Sequence, residues 1–126
     1  MGDISKNFWH TERACRCSKC RSSGHPYEIH RPKLMERMEL MRSMSNIPLV
    51  INSWCRCEEH NKESNGVDSS SHVDGWAVDI RCNWSRNKFK ILKAAMQVGF
   101  TRIGVAKTFI HLDMDPSKPP EVTWTY

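Results

Sequence analysis

Ser70-Ser71-His72-Val73-Asp74-Gly75-Trp76-Ala77-Val78-Asp79-Ile80 is the stretch on which the reading of this chain turns. Its second half alternates as a strand does. Trp76, Val78 and Ile80 fall on one face, Ala77 and Asp79 on the other. Its first half sets His72 in a Ser-rich loop closed by Gly75. A later segment from Phe109 to Asp115 repeats the alternation, with Ile110, Leu112 and Met114 on one face and His111, Asp113 and Asp115 on the other. Adjacent strands lie roughly 4.8 Å apart. If these two pair, Asp79 and His111 point into one site, and the His72 loop folds back over it. Two imidazoles and one carboxylate form a ligand set for a divalent metal. On a tetrahedral zinc they leave the fourth position open for water, as a catalytic site requires, whereas a structural zinc is more often closed by four Cys or His ligands.

Working outward, Pro32 opens a helix near Lys33 that runs to about Met44, proline being tolerated in the first turn where its missing N–H costs nothing. Leu34, Met38, Met41 and Met44 make its apolar stripe. Ile47 to Trp54 reads as a strand entered through Pro48. Residues 55–71 read as a long polar loop of the kind that carries function. Ser85 is an N-cap for a helix over Arg86–Val98 with Phe89, Leu92, Ala95 and Met96 inward, closed by Gly99. Arg102–Val105 and Thr108–Asp115 are short strands, and Val122–Tyr126 is a last edge strand beyond Pro119-Pro120. Residues 1–32 form an irregular Cys- and His-rich arm, which Ile4, Phe8 and Trp9 can pin to the core. The sum is an α+β fold, a small antiparallel sheet with helices packed on one side, in a single domain over residues 1–126.

The chain has 126 residues and a net charge of +5. A basic surface suits a polyanion such as an anionic cell-wall polymer, but no Lys/Arg block and no basic helix face points to nucleic acid. No apolar run reaches the length of a membrane span, and no basic segment followed by an apolar one marks a secretory signal. The expectation is a monomer made in the cytoplasm and exported by another route. The six cysteines are clustered as Cys15, Cys17 and Cys20, then Cys55 and Cys57, with Cys82 alone. Cys17, Cys20, Cys55 and Cys57 have spacings that suit a second, structural zinc. Disulfides between the clusters, or six free thiols, fit the same spacings. On any reading that joins them, the two clusters lie together in space.

With these residues placed, the chain resembles the zinc D-alanyl-D-alanine carboxypeptidases, of the peptidase group that also holds lysostaphin and the hedgehog fold. Among them it is most like short phage-type peptidases. The resemblance rests on Ile4-Ser5-Lys6-Asn7-Phe8, on Ala14-Cys15-Arg16-Cys17, and on Pro48 to Cys57 with His60-Asn61. It continues in Ser70-x-His72-x-x-Gly75-x-Ala77-x-Asp79, in Phe109-x-His111-x-Asp113, and in Trp124-x-Tyr126. The resemblance implies a hedgehog-like peptidase fold with His72, Asp79 and His111 as zinc ligands. It implies that Arg56 faces the substrate, where a guanidinium can hold a terminal carboxylate or steady an oxyanion. It also implies a substrate in the peptide stem of bacterial peptidoglycan, cut by an endolysin or a virion-borne enzyme.

One position departs from that family. Many members carry a Glu three residues before the final His as general base, and here the residue is Thr108. Asp113 is the nearest carboxylate in sequence, and the expectation is that it takes the proton from the zinc-bound water. It can instead orient His111 or serve as a ligand itself. His60 and Asp115 are further candidates. The missing Glu also leaves room for a rival reading, a non-catalytic zinc module on the same fold.

Overall fold

The computed structural model describes residues 2–64 and 70–126. Within them five strands form one sheet. They are β1 (Ile51–Ser53), β2 (Ala77–Arg81), β3 (Arg102–Val105), β4 (Phe109–Asp113) and β5 (Val122–Thr125), in the order β1-β2-β4-β3-β5. The first three pairings are antiparallel and β5 joins β3 in parallel, so the sheet is mixed at that edge. The five helices are α1 (His10–Arg13), α2 (Ser18–Ser23), α3 (Pro32–Ser45), α4 (Glu58–Glu63) and α5 (Ser85–Gln97). The α+β expectation holds. No helix among the described residues is long and apolar enough to cross a membrane.

Alternation along β2 and β4 divides the sheet into two working faces. Val78, Ile80, Ile110 and Leu112 are fully buried and share one core with Ile103 of β3 and with Leu34, Met38 and Met41 of α3. Fully burying such a side chain contributes about 1.5–3 kcal/mol, so this face sets the register of the strands. The opposite face keeps the polar residues of the same strands. Helix α3 starts with Pro32 in its first turn and ends at Asn46 in the left-handed region (φ 55°).

Helix α5 forms where expected, but its inward stripe is rotated. Ile91, Ala94, Ala95 and Val98 are buried, at spacings i, i+3, i+4 and i+7. Phe89 and Met96, expected inward, are each 66% exposed. Two stripes of helical period compete on this helix. The buried one carries small alanines, which let α5 approach α3 closely. Met44 likewise lies exposed at the end of α3.

The strand expected over 47–54 is cut to Ile51–Ser53, where a bulge between Ile51 and Ser53 shifts the pairing with β2. The loop expected over 55–71 holds helix α4, and its residues 65–69 lie outside the described residues. The N-terminal arm, expected to be irregular, carries α1 and α2. Phe8 pins it, packing edge-on to Trp54 with ring centroids 5.9 Å apart, and Ile4 packs on the same core, whereas Trp9, also expected there, is exposed.

Candidate metal centre

One row of paired residues crosses the sheet through all five strands. Ser53 pairs with Asp79, Asp79 with His111, His111 with Gly104, and Gly104 with Trp124. The pleat turns the side chains of such a row to one face, so strand register alone brings Asp79 and His111 together. His72 comes from the preceding loop. That loop is folded by Val73 N–H donating to Ser70 O and Trp76 N–H to Ser71 O, and it passes through Gly75 at φ 74°. A Cβ at Gly75 would stand 2.8 Å from Ile29 Cβ, so a side chain there would push the loop off the arm.

The two imidazoles are each held from behind. His72 Nδ1 donates to the carbonyl oxygen of Trp54 at 2.7 Å, which turns Nε2 toward Asp79 Oδ2 at 3.2 Å. His111 Nε2 faces Asp113 Oδ2 at 2.8 Å, which turns Nδ1 toward Asp79 Oδ1 at 2.9 Å. Two ligands 2.0–2.2 Å from a tetrahedral zinc stand about 3.3–3.6 Å apart. The three side chains are therefore gathered close to the spacing a zinc ion asks for, and all three donor atoms lie within 4.8 Å of one another. A backbone carbonyl behind one imidazole and a carboxylate behind the other is the outer support that metal-binding histidines ordinarily have. The donor set, its spacing and its support fit zinc.

Electrostatics agree with a cation site. Burial opposes the charge on Asp79, yet hydrogen bonds from His111 and His72 hold its carboxyl well below the usual carboxylate range. Burial likewise opposes a charged His111, but the Asp113 and Asp79 carboxylates on its two sides raise it. The two carboxylates flank the His111 ring, and Asp79, which faces both imidazoles, is the one that a cation in the donor cluster would stabilise.

Arg56 stands at the edge of this cluster. Its Nε donates to Ser53 Oγ at 3.0 Å, one terminal nitrogen to Asn61 Oδ1 at 3.5 Å and the other to Asp79 Oδ2 at 3.2 Å. Its backbone N–H donates to His72 O. The bulge in β1 and the start of α4 thus aim the guanidinium at the row. Asn61, which the resemblance includes, is part of what aims it.

Asp113 stands on the far side of the His111 ring from Asp79. It is 1% exposed. Its Oδ2 takes the far nitrogen of the His111 ring, and its Oδ1 accepts from Arg102 Nε at 2.7 Å and from Asp115 N at 3.2 Å. Both oxygens are engaged and the His111 ring stands between Asp113 and the donor cluster. Of the roles the sequence leaves open for Asp113, this arrangement matches that of a group orienting His111. The Asp115 carboxylate is buried and turned to other partners, accepting from Ser71 Oγ at 2.7 Å and from Ser117. His60 faces Cys15 Sγ, away from the cleft. Thr108 is exposed on the turn before β4.

The cleft over this row has a volume of about 440 Å³. Beyond the expected residues it is lined by Arg102, Lys118, Phe109, Trp124 and Tyr126. The Trp124 and His111 rings lie 5.4 Å apart, and Tyr126 packs on Phe109 at 5.0 Å. Trp124-x-Tyr126 carried the resemblance, but its place over His111 depends on the parallel β3–β5 pairing, which alternation does not reveal.

The cysteine clusters meet, with one exchange. Cys15, Cys17, Cys20 and Cys57 have sulfurs within 4.8 Å of one another. Cys55, expected in this group, is turned away: its sulfur accepts from Ile29 N at 3.4 Å inside the core. Residues 55–57 lie between β1 and α4 and outside any strand, so the shared face that an i, i+2 spacing gives a strand does not apply: Cys55 packs into the core against Ile29 while Cys57 caps α4.

A two-histidine, one-aspartate cluster in an open cleft defines a candidate mononuclear metallohydrolase. The sequence profile of the Peptidase M15 family matches residues 6–113, and the chain belongs to that family, whose members are zinc-dependent peptidases. A comparison with curated proteins finds no match. The family match ends at Asp113, so the cleft residues Lys118, Trp124 and Tyr126 lie beyond it.

Proposed function

We propose that the protein is a zinc peptidase that hydrolyses peptide bonds in the stem peptides of bacterial peptidoglycan, with His72, Asp79 and His111 holding the ion. The observation that carries this reading is the cross-strand row. It sets Asp79 beside His111, and the loop folded over it adds His72, so that two supported imidazoles and a carboxylate stand at zinc spacing on the floor of an open cleft. A zinc ion held there supplies Lewis acidity toward a scissile carbonyl and acidifies a bound water.

The remaining roles fall to the chain's own groups. Arg56 binds the substrate's terminal carboxylate or the oxyanion of the tetrahedral intermediate, for which its planar fork is suited. Asp113 fixes the tautomer and tilt of His111. Arg102 is tied to Asp113 and to the carbonyl of Pro119, so it braces that carboxylate from behind. Lys118, held on Ser71 Oγ at 2.8 Å, adds positive charge to the wall. Each of these three cations is set against a carboxylate, Arg56 on Asp79, Arg102 on Asp113 and Lys118 3.8 Å from Asp115, so the side chains of the wall are close to charge balance before an ion is added. Trp124 and Tyr126 supply flat apolar surface for the rest of the substrate.

The rival is a zinc module without activity. Thr108 in place of the family Glu favours it, as does the engagement of both cleft carboxylates, Asp79 and Asp113. Mass spectrometry of purified peptidoglycan incubated with the zinc-loaded protein decides between them. The proposal expects new stem-peptide termini that vanish in His72→Ala. An intact polymer under zinc-loaded conditions overturns it in favour of the module. The masses of the fragments also separate carboxypeptidase from endopeptidase action and identify the bond.

A further inference from the structure

The second cluster of soft ligands lies outside the cleft. Cys15, Cys17 and Cys20 come from the N-terminal arm and Cys57 from the segment after β1. The Cys17 and Cys57 sulfurs are 3.7 Å apart. A disulfide holds its sulfurs at about 2.05 Å, whereas two thiolates 2.3 Å from one tetrahedral zinc stand about 3.8 Å apart. The observed separation matches the shared ion.

The backbone around the sulfurs is built twice in the same way. Cys17 precedes α2 and accepts from Cys20 N at 3.5 Å; Cys57 precedes α4 and accepts from His60 N at 3.4 Å. In each case a sulfur takes the N–H three residues on, at the N-cap position where an oxygen side chain is usual. Cys15 Sγ accepts from Cys57 N at 3.4 Å and faces His60 Nδ1 at 3.3 Å. Three backbone N–H groups and one imidazole thus surround three of the four sulfurs. Sulfur is a weak acceptor when neutral. Such a ring of donors suits thiolates. Arg16, Lys19 and Arg21 in the same segment place positive charge beside them.

We propose that Cys15, Cys17, Cys20 and Cys57 bind one structural zinc as a closed tetrathiolate, and that this ion fastens the N-terminal arm to the segment carrying Arg56. Cys57 follows Arg56 directly in the chain. The backbone on the other side is tied to the same arm, because Cys55 N donates to Arg13 O at 2.9 Å. The ion therefore fixes where the Arg56 guanidinium starts from. It is a positioning device for the cleft and takes no part in the chemistry. The proposal does not rest on peptidase activity, since the two ligand sets share no residue.

Two measurements test it. In His72→Ala, which leaves only the thiolate site, elemental analysis should find one zinc per chain. Cobalt substitution of that variant should give intense sulfur-to-metal charge-transfer absorption. In the wild-type chain, titration with an organomercurial should release one zinc equivalent as four thiols react, with a second held until a chelator is added. This second experiment needs no cysteine variant to fold. Thiols that titrate without releasing zinc, or a mass showing Cys17 and Cys57 joined as a disulfide in the purified protein, overturn the proposal.

Discussion

The two clusters solve one problem, gathering metal ligands from distant parts of the chain, by opposite means. In the cleft, Asp79 and His111 meet because β2 and β4 pair in a register locked by the apolar residues between them, Val78 and Ile80 against Leu112 and Ile110. At the clamp, no strand pairing is involved. Four sulfurs meet because two short turns and an arm fold onto each other, and little apolar surface enforces it. The cleft should therefore keep its shape when its ion is removed. The clamp should lose its shape with its ion, since small metal-closed motifs draw folding free energy from the metal.

The largest expected effects come from removing a first ligand in either cluster. His72→Ala should abolish peptide release and halve the zinc content while near-native circular dichroism persists. Cys15→Ser should also halve the zinc content but loosen residues 2–31, seen as faster hydrogen exchange confined to the arm and the start of α4. Cys55→Ala should keep both ions and cost about 1–2 kcal/mol as a small cavity in the core. Zinc loss in Cys55→Ala with retention in Cys15→Ser would reverse the ligand assignment.

That pair of cysteine variants marks where the sequence ran out. The α+β sheet, the ends of most elements and the His72, Asp79 and His111 set were legible because strand alternation has a short period and the core face is unmistakable. Cys55 and Cys57 read as a pair because an i, i+2 spacing shares a face in a strand, and the spacing does not say that the strand ends at Ser53 and that Cys57 turns to cap α4. The stripe on α5 was misphased for a related reason. Phe89 and Met96 are more apolar than Ala94 and Ala95, but the close approach to α3 selects the small residues. The role of Asp113 was ambiguous at the start because one strand face holds both neighbours of a metal and groups one ring further away. Distances separate them, and spacing does not.

Next in size is Asp113→Asn. A group that orients His111 should, when altered, weaken zinc binding or activity by about 10–100-fold. A general base would instead leave zinc affinity unchanged and cost about 10²–10⁴ in rate. Zinc competition with a chelating dye, alongside turnover, distinguishes the two. A normal zinc affinity with turnover lost would restore Asp113 as the base.

Arg56→Lys follows. The guanidinium spans Ser53, Asn61 and Asp79 at once, and an ammonium cannot reproduce that fork. Loss of about one charged hydrogen bond to substrate predicts roughly a tenfold fall in kcat/KM, with zinc content unchanged. Wild-type kinetics would confine Arg56 to holding Asp79.

The smallest effect probes the floor of the cleft. Gly104 lies between His111 and Trp124 in the cross-strand row, and its missing side chain leaves the space those rings occupy. A Cβ there would stand 2.5 Å from Trp124 Nε1 and 2.9 Å from the Tyr126 hydroxyl. The neighbours that must give way are side chains of the edge strand β5, where Val122, Thr123 and Thr125 are exposed, so yielding is inexpensive. Gly104→Ala should therefore keep the fold, the core face and both zinc ions. It should displace Trp124 and Tyr126 from the wall, changing tryptophan fluorescence and raising KM a few-fold, the scale of about 1 kcal/mol of lost contact. Because Asp79 and His111 are set by β2–β4 register and not by β5, kcat should hold. A fall in kcat with KM constant would show that the aromatic wall governs the ligands beneath it, and that the cleft depends on its edge as the clamp depends on its ion.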